Sequence, residues 1–433
     1  MEIIMSAQIN YIPGLVTKEH TFEVPLNYSN ASGQKIKIFG REIVAKELEN
    51  SNDLPWLVYL QGGPGFGSPR PISNSGWLKR ALKEFRVFLL DQRGTTNKGF
   101  KVCPQTLNHL SPEAQAEFLT HFRADNIVRD AEFVRKELVK DKWSLLGQSY
   151  GGFCIMSYLS LAPEGIKEAF ITGGVPSVER HVDDVYRETY KFTKEKNDIY
   201  YRRYPQDKKA VKEIVDHLNN NEVFLPCGDR LSARRFLCIG LNFGFQAGYE
   251  TVHYLVENAF VETANGQEIS YEFLKGMEQV LSFDTNPIFS ILHEAIYAQG
   301  FSTRWSAERF YHEYPEFSHD QETVLFTGEM VYSWYFDEFK ALQPLKEAAE
   351  ILAAKEDWGP LYDKGVLKKN EVPVRAAVYY NDMFVNKKYS EETVNLVPNM
   401  EAWYTSEFEH CGLRVGGEKL LDRLIKMCRG EVY

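Results

Sequence analysis

Residues 142–156 read Lys142-Trp-Ser-Leu-Leu-Gly147-Gln148-Ser149-Tyr150-Gly151-Gly152-Phe-Cys-Ile-Met156. The stretch opens as a short apolar run of strand character. It continues into Cys154, Ile155, Tyr158, Leu159 and Leu161, which recur at helical spacing. Between the two patterns sits Gly-Gln-Ser-Tyr-Gly, a G-x-S-x-G turn. A strand that reverses into a helix this abruptly forces its central residue into strained backbone geometry. Only small neighbours leave room for that, so Gly147 and Gly151 flank the serine. The turn is expected to lift Ser149 out of the fold at a helix start. There the backbone N–H of Tyr150 and the positive helix end face any oxyanion that develops. A plain Gly/Ser turn is the alternative, since G-x-S-x-G recurs by chance; the strand before it and the helix after it favour the nucleophile reading.

Outward from this turn, the surrounding segments build a sheet. Residues 55–60 form an apolar strand, followed by Gln61-Gly62-Gly63-Pro64-Gly65-Phe-Gly67. As a dinucleotide fingerprint this cluster fails, because G-x-G-x-x-G from Gly63 needs its third glycine at position 68. Pro64 also removes a donor that phosphate would want. The cluster fits a loop whose N–H groups point into a cleft, with Gly63 the second oxyanion donor beside Tyr150. Residues 86–91 form the next strand and end in Asp91-Gln92-Arg93-Gly94. Asp91 and Arg93 read as structural ties, since an aspartate nucleophile would compete with Ser149. Residues 126–138 read as an amphipathic helix and 168–174 as another strand end. Upstream, 21–26 and 35–45 read as an antiparallel pair at the edge of a mixed sheet. The order of elements predicts an α/β fold with a mostly parallel sheet.

From about residue 178 the βα alternation stops. Helical patterns span 182–204, 207–219, 247–259, 271–281, 294–299 and 345–354. This predicts a helical cap at 178–358 inserted between sheet strands, with 1–177 and 359–433 forming the catalytic domain. Residues 372–382 then resume the apolar strand pattern and end in Asp382. Residues 400–405 read as a last strand, 406–412 as a loop carrying His410, and 418–428 as a closing amphipathic helix.

The 433 residues exceed one ordinary core. The net charge of −10, with no basic stripe, excludes nucleic-acid binding as the expected role. The 24 Tyr and 28 Phe point to an apolar, shape-selective cavity. The six cysteines are scattered without a C-x-x-C pair and read as free thiols in a reducing compartment. The first residues carry no basic region followed by an apolar run, and no segment has the length and apolarity of a bilayer span. A cytoplasmic protein without membrane or nucleic-acid partners is the expectation.

Ser149, Asp382 and His410 thus stand at strand ends in the order Ser…Asp…His, the α/β-hydrolase order. A serine hydroxyl needs an imidazole to take its proton, and the imidazole needs a carboxylate to hold its tautomer. Together with the glycine loop these residues predict a catalytic triad.

Gln61-Gly-Gly-Pro-Gly, Asp91-Gln-Arg-Gly and Gly147-Gln-Ser-Tyr-Gly-Gly together resemble the proline iminopeptidase (prolyl aminopeptidase) family of α/β-hydrolases. Gln61 stands where the family usually has His, and Thr95-Thr-Asn-Lys replaces its glycine-rich turn. The His loop reads Glu409-His-Cys-Gly. These departures resemble the longer branch. The resemblance implies a serine aminopeptidase that releases an N-terminal residue, usually proline, from short peptides without metal or cofactor. It also implies cap glutamates that recognise the free amine, because a buried ammonium must be paired with carboxylates. Glu294 resembles one such position, with Glu329 and Glu250 as further candidates. His293-Glu294 does not open a zinc H-E-x-x-H site, since position 297 is Tyr. The aromatic run 331–336 reads as a pocket wall or as cap core. A capped esterase or lactonase using the same triad is the alternative enzyme, and a non-catalytic binding module the alternative of another class.

Overall fold

Strand alternation places the chain's apolar residues on both faces of one nine-stranded sheet in the computed structural model, which describes residues 8–280 and 283–433. The reading of the first seven residues, and the helix end at Leu281, lie outside the described residues. Three strands open the sheet in antiparallel fashion: β1 (Ile9–Ile12), β2 (Leu15–Pro25) and β3 (Lys35–Ala45). Next to β3 lies β5 (Arg86–Asp91), also antiparallel. From there β4 (Trp56–Leu60), β6 (Trp143–Gln148), β7 (Ile166–Thr172), β10 (Val374–Tyr379) and β11 (Met400–Thr405) run parallel to it, giving the order β1-β2-β3-β5-β4-β6-β7-β10-β11. The parallel strands inside the sheet, β5, β4, β6, β7 and β10, are mostly buried, as strands covered on both faces must be, whereas the edge strand β11 is only partly so. Leu57, Tyr59, Leu89 and Leu146 pack with Leu78, Leu420 and Leu424 of the helices Gly76–Ala81 and Gly412–Cys428. Helices Ala124–Leu138 and Tyr150–Leu161 pack on each other and on the sheet.

The chain divides into two compact units. The first holds the sheet and comprises 1–106, 117–179 and 357–433; the second comprises 107–116 and 180–356. Residues 107–116 therefore belong with the second unit, although the sequence reading leaves them in the first.

The second unit is built largely of helices, among them Val182–Arg203, Asp207–Asn220, Gly248–Glu257, Tyr271–Val280 and Lys346–Ala354. The helix expected at 294–299 is only the single 3-10 turn Glu294–Ile296. A hairpin of β8 (Phe260–Thr263) and β9 (Gly266–Ile269) interrupts the helical run. Its signal was Asn265-Gly266, with Gly266 at φ 106°. No helix among the described residues is long and apolar enough to cross a membrane.

Candidate active site

Ser149 directly follows β6 and precedes the helix Tyr150–Leu161. Its backbone sits at φ 56°, ψ −127°, outside the regions that L-residues favour. Three glycines allow this conformation by letting backbone pass where a side chain would collide. A Cβ on Gly151 would lie 1.9 Å from the Leu60 carbonyl oxygen, and one on Gly174 would lie 2.2 Å from that of Ser149. A Cβ on Gly147 would meet the Gly151 oxygen at 2.5 Å. The Ser149 N–H donates to the Thr172 carbonyl at 3.0 Å, which fastens the turn to the end of β7. Tyr150 is the first residue of the helix, a position whose N–H has no acceptor within the helix.

The loop after β4 lies against the serine. A Cβ on Gly62 would be 2.8 Å from Ser149 Cβ and 3.3 Å from its Oγ. Gly62 is thus the glycine whose Cα abuts the serine, and Gly63 follows it at φ 138°. Gln61 is held from both ends. Tyr59 Oη donates to its Oε1 at 2.8 Å, and Gln92 Nε2 donates to its carbonyl at 2.9 Å.

Asp382 lies in the turn after β10, three residues beyond the strand, and is buried. Its Oδ1 accepts the N–H groups of Phe384 at 2.9 Å and Val385 at 3.0 Å. Its Oδ2 meets His410 Nδ1 at 2.8 Å. With one oxygen anchored by backbone donors, the other fixes Nδ1 as the protonated nitrogen and leaves Nε2 as the basic one. His410 is itself buried, with the Phe384 ring edge-on at 4.7 Å. Gly173 brings these pieces close to the Ser149 turn: a Cβ there would be 3.3 Å from Asp382 Oδ2 and 3.2 Å from the His410 carbonyl oxygen.

Two residues with no role in the sequence reading complete this arrangement. Gln148 Nε2 donates to the His410 carbonyl at 3.1 Å, and Thr172 Oγ1 donates to Gln148 Oε1 at 2.8 Å. Position 148 was visible as the variable residue before the serine, but a contact across 262 residues leaves no local pattern.

Asp91 and Arg93 are structural, as read. Asp91 accepts from Arg70 through both oxygens, at 2.8 and 2.7 Å, and from Ser68 N–H at 2.9 Å. Arg93 is fully buried; it donates to both oxygens of Asp130 and to the carbonyls of Pro25, Leu26 and His121.

In the second unit, Glu294 is 5% exposed. Its Oε2 accepts Ser306 N–H at 3.0 Å and its Oε1 accepts Ala307 N–H at 2.9 Å, at the start of the helix Ser306–Tyr311. Burial pushes its carboxyl up to about 7, against the opposing pull of those donors. The neighbouring His293 is buried too, and burial brings its imidazole down to about 4. Glu329 is half-buried, and both Glu294 and Glu329 act electrostatically on the buried Tyr186 hydroxyl, which burial first raises well above its ordinary range. Glu250 lies at the start of the helix Gly248–Glu257, bonded to Arg203 at 2.5 Å and to Tyr204 Oη at 3.2 Å. Of the aromatic run, Tyr335 and Phe336 are core, whereas Tyr332 and Trp334 line a 210 Å³ cavity of the second unit.

Residues 55–216 match the family model described as the α/β hydrolase fold. The chain is 46% identical over 429 residues to a proline iminopeptidase of Aeromonas sobria, covering 98% of this chain and 100% of the relative. It is 34% identical over 424 residues to the proline iminopeptidase AneH of Aspergillus aculeatus, covering 95% and 93%. With a near-complete relative at this identity, and a mostly parallel sheet carrying the G-x-S-x-G turn between β6 and its helix, the chain belongs to the proline iminopeptidase family of α/β-hydrolases.

Proposed function

We propose that the protein is a serine aminopeptidase that releases an N-terminal residue, proline above others, from short peptides through an acyl-enzyme. Ser149 Oγ attacks the carbonyl carbon of the first residue while His410 Nε2 takes its proton. Asp382 holds the imidazole and stabilises the cation that forms. The N–H of Tyr150, and that of Gly63 in the loop against Ser149, receive the oxyanion. One such donor is worth about 2.7–4 kcal/mol in comparable sites. Collapse breaks the C–N bond, His410 passes its proton to the leaving amine, and water then cleaves the Ser149 ester with His410 as base again. The observation that carries this reading is the 2.8 Å Asp382–His410 contact, with the His410 main chain hydrogen-bonded to the residue preceding Ser149. The names of the two full-length relatives support proline as the first residue.

The substrate's ammonium is assigned to Glu294 and Glu329. Glu250 already has a cation in Arg203 and contributes less to an amine site. A buried carboxylate whose negative form is disfavoured by desolvation gains most from a bound cation. Because Glu294 ionises near pH 7, KM for peptides with a free amine should fall as pH rises through that value, while KM for N-acetylated esters stays flat. None of the six cysteines is in a disulfide, which supports the expected cytoplasmic setting.

A panel of aminoacyl fluorogenic amides, each with and without N-acetylation, tests the assignment. Proline amide is expected to turn over fastest and its acetylated form hardly at all; preference for acetylated or simple esters would replace the peptidase by an esterase. Ser149→Ala should abolish turnover with the fold intact by circular dichroism, and retained activity would discard the nucleophile.

A further inference from the structure

We infer that Gln148 is a positioning residue for acylation: its carboxamide ties the loop of the base to the turn of the nucleophile and so sets their separation. The inference rests on the serine-peptidase reading above.

Asp382 controls only one end of the imidazole. Its bond to Nδ1 fixes the ring's tilt, but the place of Nε2 also depends on where the His410 backbone lies. That backbone belongs to the segment between β11 and the closing helix Gly412–Cys428 and needs a tether of its own. One such tether is the bond from Gln148 Nε2 to the His410 carbonyl, 3.1 Å. Gln148 is the last residue of β6 and covalently adjoins Ser149, so a single side chain spans from the nucleophile's own strand to the base's main chain.

The amide's orientation follows from its partners. A carbonyl only accepts, so the NH₂ end must face His410. The oxygen end then faces Thr172, whose hydroxyl donates to it at 2.8 Å. Thr172 closes β7, and its own carbonyl receives the Ser149 N–H. Elbow, neighbouring strand and base loop are thereby joined by one relay in a buried setting, where Gln148 is 6% exposed. Glutamate has the same shape but presents acceptors at both ends. It would set a carboxylate oxygen against the His410 carbonyl, so only an amide fits both partners.

The test is a set of variants assayed on proline fluorogenic amide, with the rate of Ser149 labelling by a fluorophosphonate as a second readout. Gln148→Glu and Gln148→Leu are expected to lower kcat by about 10- to 100-fold, since misplacement on the scale of 1 Å costs about that much. KM should stay within about twofold, because the amine site is untouched, and labelling should slow in parallel with kcat. Thr172→Val should lower kcat in the same direction and Thr172→Ser should restore it. The double variant Gln148→Leu/Thr172→Val should be no slower than Gln148→Leu alone, as expected of groups acting as one unit.

A merely structural role would lower the melting temperature and leave kcat, labelling rate and the Thr172 pattern unchanged; that result overturns the inference. If Gln148→Leu fails to fold, Thr172→Val decides, and wild-type kcat in it overturns the inference. Failure of the wild-type chain to label at Ser149 would sink the peptidase reading itself. Normal wild-type labelling with equally fast labelling of the Gln148 variants would sink only this one.

Discussion

A serine at φ 56° is held there by its neighbours, because an isolated residue would relax toward the broad extended or helical regions. The cost of such a conformation is about 1–3 kcal/mol, and it persists only where surrounding structure over-determines it. Gly174 is the most informative of the surrounding residues because it stands in β7's exit turn, outside the G-x-S-x-G motif. Its Cα lies where a methyl group would be 2.2 Å from the Ser149 carbonyl oxygen and 3.0 Å from its N. Backbone occupies that space, so no rotamer change relieves the clash. Gly174→Ala should therefore push the serine turn away from β7 and weaken the 3.0 Å Ser149–Thr172 bond. The expected result is a loss of kcat of about 100-fold, the upper end of what a 1 Å misplacement at a reacting group costs. A stopped assay on proline amide checks it, with fluorophosphonate labelling of the soluble variant as control. Wild-type kcat would mean that the turn's geometry is set by the motif glycines alone.

At the scale of elements, the sequence was most legible where a segment has one environment. The strands 35–45 and 400–405 begin and end in the structure where the sequence places them. The helix Tyr150–Leu161 is buried at eleven of its twelve positions, so it has no polar face; only the G-x-S-x-G turn in front of it marked its start. Residues 294–299 misled because Glu294, Ala295, Ile296 and Ala298 are all buried, so their apolar content does not reflect one helical face. The element that matters there is the next one, the short helix Ser306–Tyr311, whose N–H groups of Ser306 and Ala307 find their acceptor in Glu294. This pairing has a pH signature. The Glu294 carboxyl ionises near its ordinary 4.5 in the unfolded chain and about 7 in the folded one. A raised folded value means that the native state holds the proton more tightly. Its stabilising contribution is full below 4.5 and is lost as pH rises to about 7. The full swing is on the order of 3 kcal/mol. Glu294→Gln should remove this slope: the difference in unfolding free energy between wild type and variant should shift against the wild type from pH 4.5 to 7 and be flat above. Urea unfolding at a series of pH values measures it, and parallel curves for the two proteins would show that Glu294 does not titrate in this window.

For the whole molecule, the order Ser149, Asp382, His410 carries the proposed triad but not what would space it, because the spacing lies in contacts such as Gln148 to His410 that join distant segments. Net charge is the property of the whole that sequence states outright, and it bears on the substrate. At −10 the chain carries a negative far field, and a peptide with a free amine approaches as a cation at its reactive end. Long-range attraction of this kind acts over about 10 Å at 0.1 M salt and about 3 Å at 1 M. It speeds encounter but adds nothing once the ammonium is paired at short range. Raising salt should therefore lower kcat/KM for proline amide by about two- to fivefold between roughly 0.02 and 0.5 M, leaving kcat unchanged. The neutral N-acetyl ester supplies the control, since it has no charge to steer. Equal salt dependence of the two substrates would place the effect on the enzyme's own conformation. A flat response for both would mean that the acidic surface is solvated and that amine recognition is confined to the short-range carboxylates.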